Sequence, residues 1–229
     1  IIQLDGIFPN ARYFSIVLYD INSRDPIAII NDTEFITSEE NTNPFVTGVY
    51  ANNQQYSLAI GPNTVDLRNF NNSLSYDSSL TDISIFIRYY KPSIDYFGGV
   101  RLPDISIHDI YQNEVEAPIS LDLSEVLLVG DIAADLTFLG SILFNIESNA
   151  TNRQFFRVSA ESTGNFANPD NQYLISPNVL GDNEVILLRW QAPAAAENFS
   201  YFEESDMRYF SMSLSNEASY NFKTISDSE

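Results

Sequence analysis

The sequence predicts an all-β fold, an antiparallel β-sandwich of jelly-roll type. Three observations carry that expectation. Short segments alternate apolar and polar side chains, the period of a strand with one covered face. Gly, Pro, Asn and Asp separate these segments, as turns require. Aromatic side chains, which favour strands, are frequent, with 13 Tyr and 16 Phe in 229 residues.

The tetrapeptide Arg-Tyr-Phe-Ser occurs at Arg12 and again at Arg208. Its flanks agree as well. Residues 1–9 (IIQLDGIFP) resemble residues 185–193 (VILLRWQAP), an apolar run closed by proline. An internal repeat implies a repeated structural unit. A strand–proline–strand unit is therefore expected twice in one core, with an acidic insertion at 194–205 before the second copy. A single sandwich domain over 1–229, with halves of roughly 1–110 and 111–229, follows from that symmetry.

Taken in order, residues 1–4 read as a strand, Asp5-Gly6 as a bend and Phe8-Pro9-Asn10 as a turn. Residues 13–19 form a strand with Phe14, Ile16 and Leu18 toward the core. Val17 and Tyr19 on its other face make it a central or covered strand. The second copy keeps Phe210, Met212 and Leu214 on the core face and puts Ser211, Ser213 and Ser215 in water. Residues 20–26 are a turn and 26–32 a short apolar piece. A polar stretch at 33–47 follows, broken at Asn43-Pro44. Residues 55–60 and 84–90 alternate, and the latter, apolar on both faces, reads as a buried central strand. Residues 91–99 are a loop leading to a strand at 104–110. Residues 120–144 carry a partly helical period, with starts at Ser124-Glu125 and Asp131, so one or two short helices are expected there. Further strands are expected at 154–160, 173–175 and 184–191.

Several of these segments together resemble a family. Phe8-Pro9-x-Ala11-Arg12-Tyr13-Phe14-Ser15, Gly98-Gly99-Val100-x-Leu102-Pro103 and Asn168-Pro169-Asp170-Asn171-x-Tyr173-Leu174 fall in the order seen in a group of uncharacterised exported bacterial proteins. Residues 13–103 also resemble, distantly, the β-rich domain of the DUF1214/DUF1254 proteins. The resemblance implies a jelly-roll-like sandwich and an extracellular, periplasmic or cell-surface location. It implies no mechanism.

Composition bounds the partners. With 31 acidic against 11 basic residues, the net charge of −20 opposes binding to nucleic acid and to anionic membrane surfaces. The absence of cysteine removes disulfides, thiolate metal sites and a cysteine nucleophile. No apolar run reaches the roughly 20 residues of a membrane span, so membrane insertion is not expected.

Candidate functional residues fall in three groups. Tyr89, Tyr90, Tyr96 and Phe97 cluster around loop 91–99, and Phe199, Tyr201 and Phe202 lie in the acidic insertion. Exposed aromatics of this kind anchor protein contacts or stack on sugar rings. Asp20, Asn22 and Asp25 place hard oxygen ligands in one turn, suited to calcium, although turns use the same residues. His108 is the single histidine, and no Gly-x-Ser-x-Gly elbow, HExxH or P-loop accompanies it. Arg12 and Arg208 are each expected to pair with a carboxylate or carbonyl near a turn. The resulting expectation is a non-enzymatic exported or surface sandwich, acting through a protein partner or self-assembly. Carbohydrate binding, or a carboxylate-dependent glycan-active enzyme, is the alternative.

Overall fold

In the computed structural model the described residues are 1–50, 53–109, 114–115, 156–158, 166–176, 187–191, 193–194, 207–215 and 221–226. They belong to two units, Ile1–Ile119 with Ala194–Tyr209, and Ser120–Pro193 with Phe210–Glu229. Among the described residues no helix is long and apolar enough to cross a membrane.

The first unit is a β-sandwich. One sheet has five strands in the order β5 (Ser73–Tyr76), β4 (Gln55–Pro62), β1 (Ile2–Ile7), β7 (Asp104–His108) and β8 (Glu114–Val115). The other has three, β3 (Pro26–Asn31), β2 (Ala11–Asp20) and β6 (Ile83–Pro92). All pairings are antiparallel except β4 with β5. Their inner faces bury one apolar core. Leu4, Tyr56, Leu58, Ile60 and Leu74 come from the larger sheet, and Phe14, Ile16, Leu18 and Ile30 from the smaller. Phe8, Phe35 and Phe45 close one end, with the Phe8 and Phe35 rings edge-on at 5.7 Å. Each such side chain, fully removed from water, contributes about 1.5–3 kcal/mol.

Phe14, Ile16 and Leu18 face this core, as their alternation predicts. The opposite face of β2 is also buried, with Ser15, Val17 and Tyr19 fully covered. That makes β2 the central strand of its sheet. Residues 84–90 do form strand β6, but among the described strands it lies at the sheet edge and is half-buried throughout. Its two apolar faces reflect partial cover on each side.

Three further expectations are corrected. Asp5-Gly6 is no bend, because β1 runs straight through it. Gly6 is needed there for space, since a Cβ would meet the Tyr56 ring at 2.5 Å. Asn43-Pro44 does not simply break the chain. It caps the one-turn helix α1 (Pro44–Thr47), with the Asn43 Oδ1 accepting from the Phe45 N–H at 2.9 Å. Residues 187–191 are not strand, so the described part of the second copy does not repeat the strand that opens the first.

In the second unit β9 (Phe156–Val158) pairs with β10 (Tyr173–Ile175), and β11 (Ser211–Ser215) with β12 (Asn221–Ser226), both antiparallel. The Asn-Pro-Asp-Asn segment is a tight turn held by buried Asn168. Its N–H donates to the Tyr173 hydroxyl at 3.0 Å, and its Oδ1 accepts from the Asp170 N–H at 3.2 Å. Trp190 and Phe210 pack with ring centroids 6.2 Å apart. The helices expected at 120–144 lie outside the described residues.

Candidate functional site

The most strongly built polar feature joins the two copies of the repeat. Asp32 follows β3 and is fully buried. Its carboxylate accepts two hydrogen bonds from the Arg208 guanidinium, at 2.8 and 2.9 Å, and one from the Phe14 N–H at 2.9 Å. Burial pushes the carboxyl above its usual range, and Arg208 and the N–H donors pull it back. The guanidinium also lies over the Tyr13 ring at 5.6 Å. Tyr13 stacks on its cross-strand partner Tyr90 at 5.0 Å, and Tyr90 meets Tyr209 at 5.3 Å. Arg208 thus finds the carboxylate near a turn that its sequence position suggests. The chemistry is that of a clasp, because the carboxylate and the two terminal guanidinium nitrogens are spent on each other.

This clasp and the core absorb two of the sequence-predicted binding residues. Tyr90 belongs to the stack just described. Tyr89 faces the core, 5.6 Å from Phe14 and 6.1 Å from Phe97, and burial pushes its hydroxyl up to about 12. Tyr96 and Phe97 are different, with 90% and 42% of their surface exposed. Phe199, Tyr201 and Phe202 lie outside the described residues.

The loop that carries Tyr96 is pinned at both ends. The Asn10 N–H donates to the Gly98 carbonyl at 3.0 Å, and the Ser93 N–H donates to the Asn10 carbonyl at 2.9 Å. Asp95 braces the middle, its Oδ1 accepting from the Phe97 and Gly99 N–H groups at 2.8 and 2.9 Å. Those N–H donors hold the Asp95 carboxyl below its usual range. Gly98 has a φ of 71°, and a Cβ there would meet the Asn10 backbone at 2.9 Å, so only glycine fits. Above this fixed backbone Tyr96 is exposed, and so is Ile94, at 72%, its side chain lying over Gly99.

Asp20, Asn22 and Asp25 do come together in the β2–β3 turn. Asp20 Oδ1 accepts from the Asn22 N–H at 2.9 Å, and the Asp20 carbonyl accepts from the Arg24 N–H at 2.8 Å. These are the self-bonds of an Asp/Asn turn. Among the described residues no cluster of three or more His, Asp or Glu side chains is arranged to hold a metal.

The outward face of the five-stranded sheet is polar. Asp5 on β1 lies directly across from Ser57 on β4 and from Asp104 on β7. Gln3 donates to both Asp5 oxygens, at 3.2 and 3.0 Å. Arg101 donates to Asp104 at 2.6 Å. His108 Nε2 lies 2.8 Å from the Ser106 hydroxyl, the spacing of a base and a nucleophile. Among the described residues no carboxylate hydrogen-bonds its Nδ1, so no third member of a triad accompanies the pair.

Comparison with family models, curated proteins and solved structures gives no match. The likeness to exported bacterial proteins therefore rests on the motifs quoted above.

Sequence reasoning picked out Tyr96 and Phe97 but missed Asp32, Asp5 and Asp104. Asp32 had one legible signal, an acid placed directly after an apolar strand. Asp5 and Asp104 had none, because their adjacency arises from strand pairing.

Proposed function

We propose that this protein acts by binding, as an exported or surface β-sandwich whose loop 93–99 grips a protein partner. The observation that carries this reading is the pairing of a braced backbone with an exposed Ile94–Tyr96–Phe97 tip. A soluble fold gains nothing by rigidly presenting a tyrosine to water. A partner gains an anchor whose ordering cost is already met. The net charge of −20 disfavours a second copy of the chain and favours a neutral or basic partner face. Export rests on the motif resemblance.

A photoreactive amino acid placed at position 96 in source cells tests this. It should crosslink to one other protein, whereas the same group at exposed Ser79 should not. Identical crosslinking patterns from the two positions would end the reading. A crosslink only to the chain itself would replace the partner by self-assembly.

A further inference from the structure

We propose that residues 187–191 are a donated strand, which enters the open side of a second copy's first-unit sandwich, beside β6 and over β7. This contact stands apart from the loop reading.

The donor is an apolar run left bare to water. Leu187, Leu188, Arg189, Trp190 and Gln191 are all exposed, Leu187 at 90% and Trp190 at 50%. Among the described residues no strand pairs with them and no backbone hydrogen bond reaches them. A bare apolar stretch of this kind marks a contact. The repeat says which kind. Residues 185–193 align with 1–9, where β1 is a sandwich strand. Leu188 takes the place of Leu4, which faces the core, and Trp190 follows it on the same side of an extended chain.

The acceptor is the sandwich of the first unit. One side of it is closed, where β3 packs close to β5. On the other side the larger sheet continues to β7 and β8, whereas the smaller one ends, among the described strands, at β6. Ile105 on β7 is in register with buried Leu4 and shares its inner face, yet is 63% exposed. Ile85, Ile87 and Tyr89, on the inner side of β6, are only half-buried. One more strand beside β6 covers all four. Strand addition at a sheet edge supplies main-chain hydrogen bonds, and alternate side chains fill the face beneath. Leu188 and Trp190 provide that face. Donor and open position lie on the same kind of chain, so a second copy satisfies both in a head-to-tail contact. The net charge of −20 opposes contact between copies over most of the surface, but β6 and 187–191 hold no acidic residue.

Sedimentation velocity of the full chain over a concentration series tests this. Reversible association is expected, tightening as salt screens the net charge. Leu188→Asp and Ile105→Asp should each weaken it about tenfold, by setting a charge into an apolar contact. Both side chains are exposed in the single chain, so the melting temperature should be unchanged. Tyr96→Ala should leave association unaltered, which separates this contact from the loop. In an equal mixture of light and heavy-isotope copies, a photoreactive residue at position 188 should attach to β6 or β7 of the other copy. The inference is overturned if the chain stays monomeric at every concentration and salt tested, or if neither Asp variant weakens association. Attachment within the same copy, or outside those two strands, overturns it as well.

Discussion

In the first copy of Arg-Tyr-Phe-Ser all four residues lie inside β2, and Phe14 and Ser15 are fully buried. In the second copy the strand begins only at Ser211, which is exposed, and Arg208, Tyr209 and Phe210 precede it half-buried. The chain passes from one unit to the other between Tyr209 and Phe210. Arg208 and Tyr209 are not in a strand, as Arg12 and Tyr13 are. They close on the first copy's own strand, through Asp32, Tyr13 and Tyr90. One tetrapeptide thus serves as core strand in one place and as clasp in another. A strand's propensity for extended backbone is weak against the packing available to it.

Matched substitutions can break this contrast. Phe14→Ala should have the largest effect, lowering stability by about 3–5 kcal/mol, because a fully buried ring leaves a cavity. Phe210→Ala should lower it by about 1 kcal/mol, as its ring is only half covered. Urea unfolding midpoints compare the two, and equal losses would mean that both copies are core. Asp32→Ala, at the point where the copies meet, should lower stability by about 3 kcal/mol. It leaves Arg208 without its carboxylate and the Phe14 N–H without an acceptor. Next comes Tyr209→Ala, expected to lose about 1 kcal/mol through its contact with Tyr90. The smallest and most discriminating pair is Ser15→Ala and Ser211→Ala. The Ser15 hydroxyl is buried with no hydrogen-bond partner, so its removal should be neutral or raise stability, by up to about 1 kcal/mol. Ser211→Ala should stay within about 0.5 kcal/mol, as an exposed site does.

Much of the sandwich was legible because period-2 alternation is a local property. Phe14, Ile16 and Leu18 announce a strand and its buried face within five residues, and 55–60 do likewise, whereas 84–90 announce a strand but not its place at the sheet edge. Strand β5 was missed, because four residues are too few for a period to stand out. Residues 91–99 were read as a loop, of which Lys91 and Pro92 belong to β6, and the rigidity of 93–99 depends on Asn10, which sequence places far away. At the turn holding Asp20, Asn22 and Asp25 the sequence allowed both a calcium ligand set and a plain Asx turn. The Asp20 hydrogen bonds are those of the turn.

By itself the sequence determined the class of fold, the core face of β2, the turn chemistry and the acidic surface. Each follows from side-chain type and near-neighbour spacing. Tertiary structure alone decided which strands pair, and so that β1 and β2 part into different sheets. It also decided that Arg208 meets Asp32 across 176 positions and that the Tyr56 ring packs against Gly6. Such contacts are set by how whole sheets stack and what room a glycine leaves, and no local period records them.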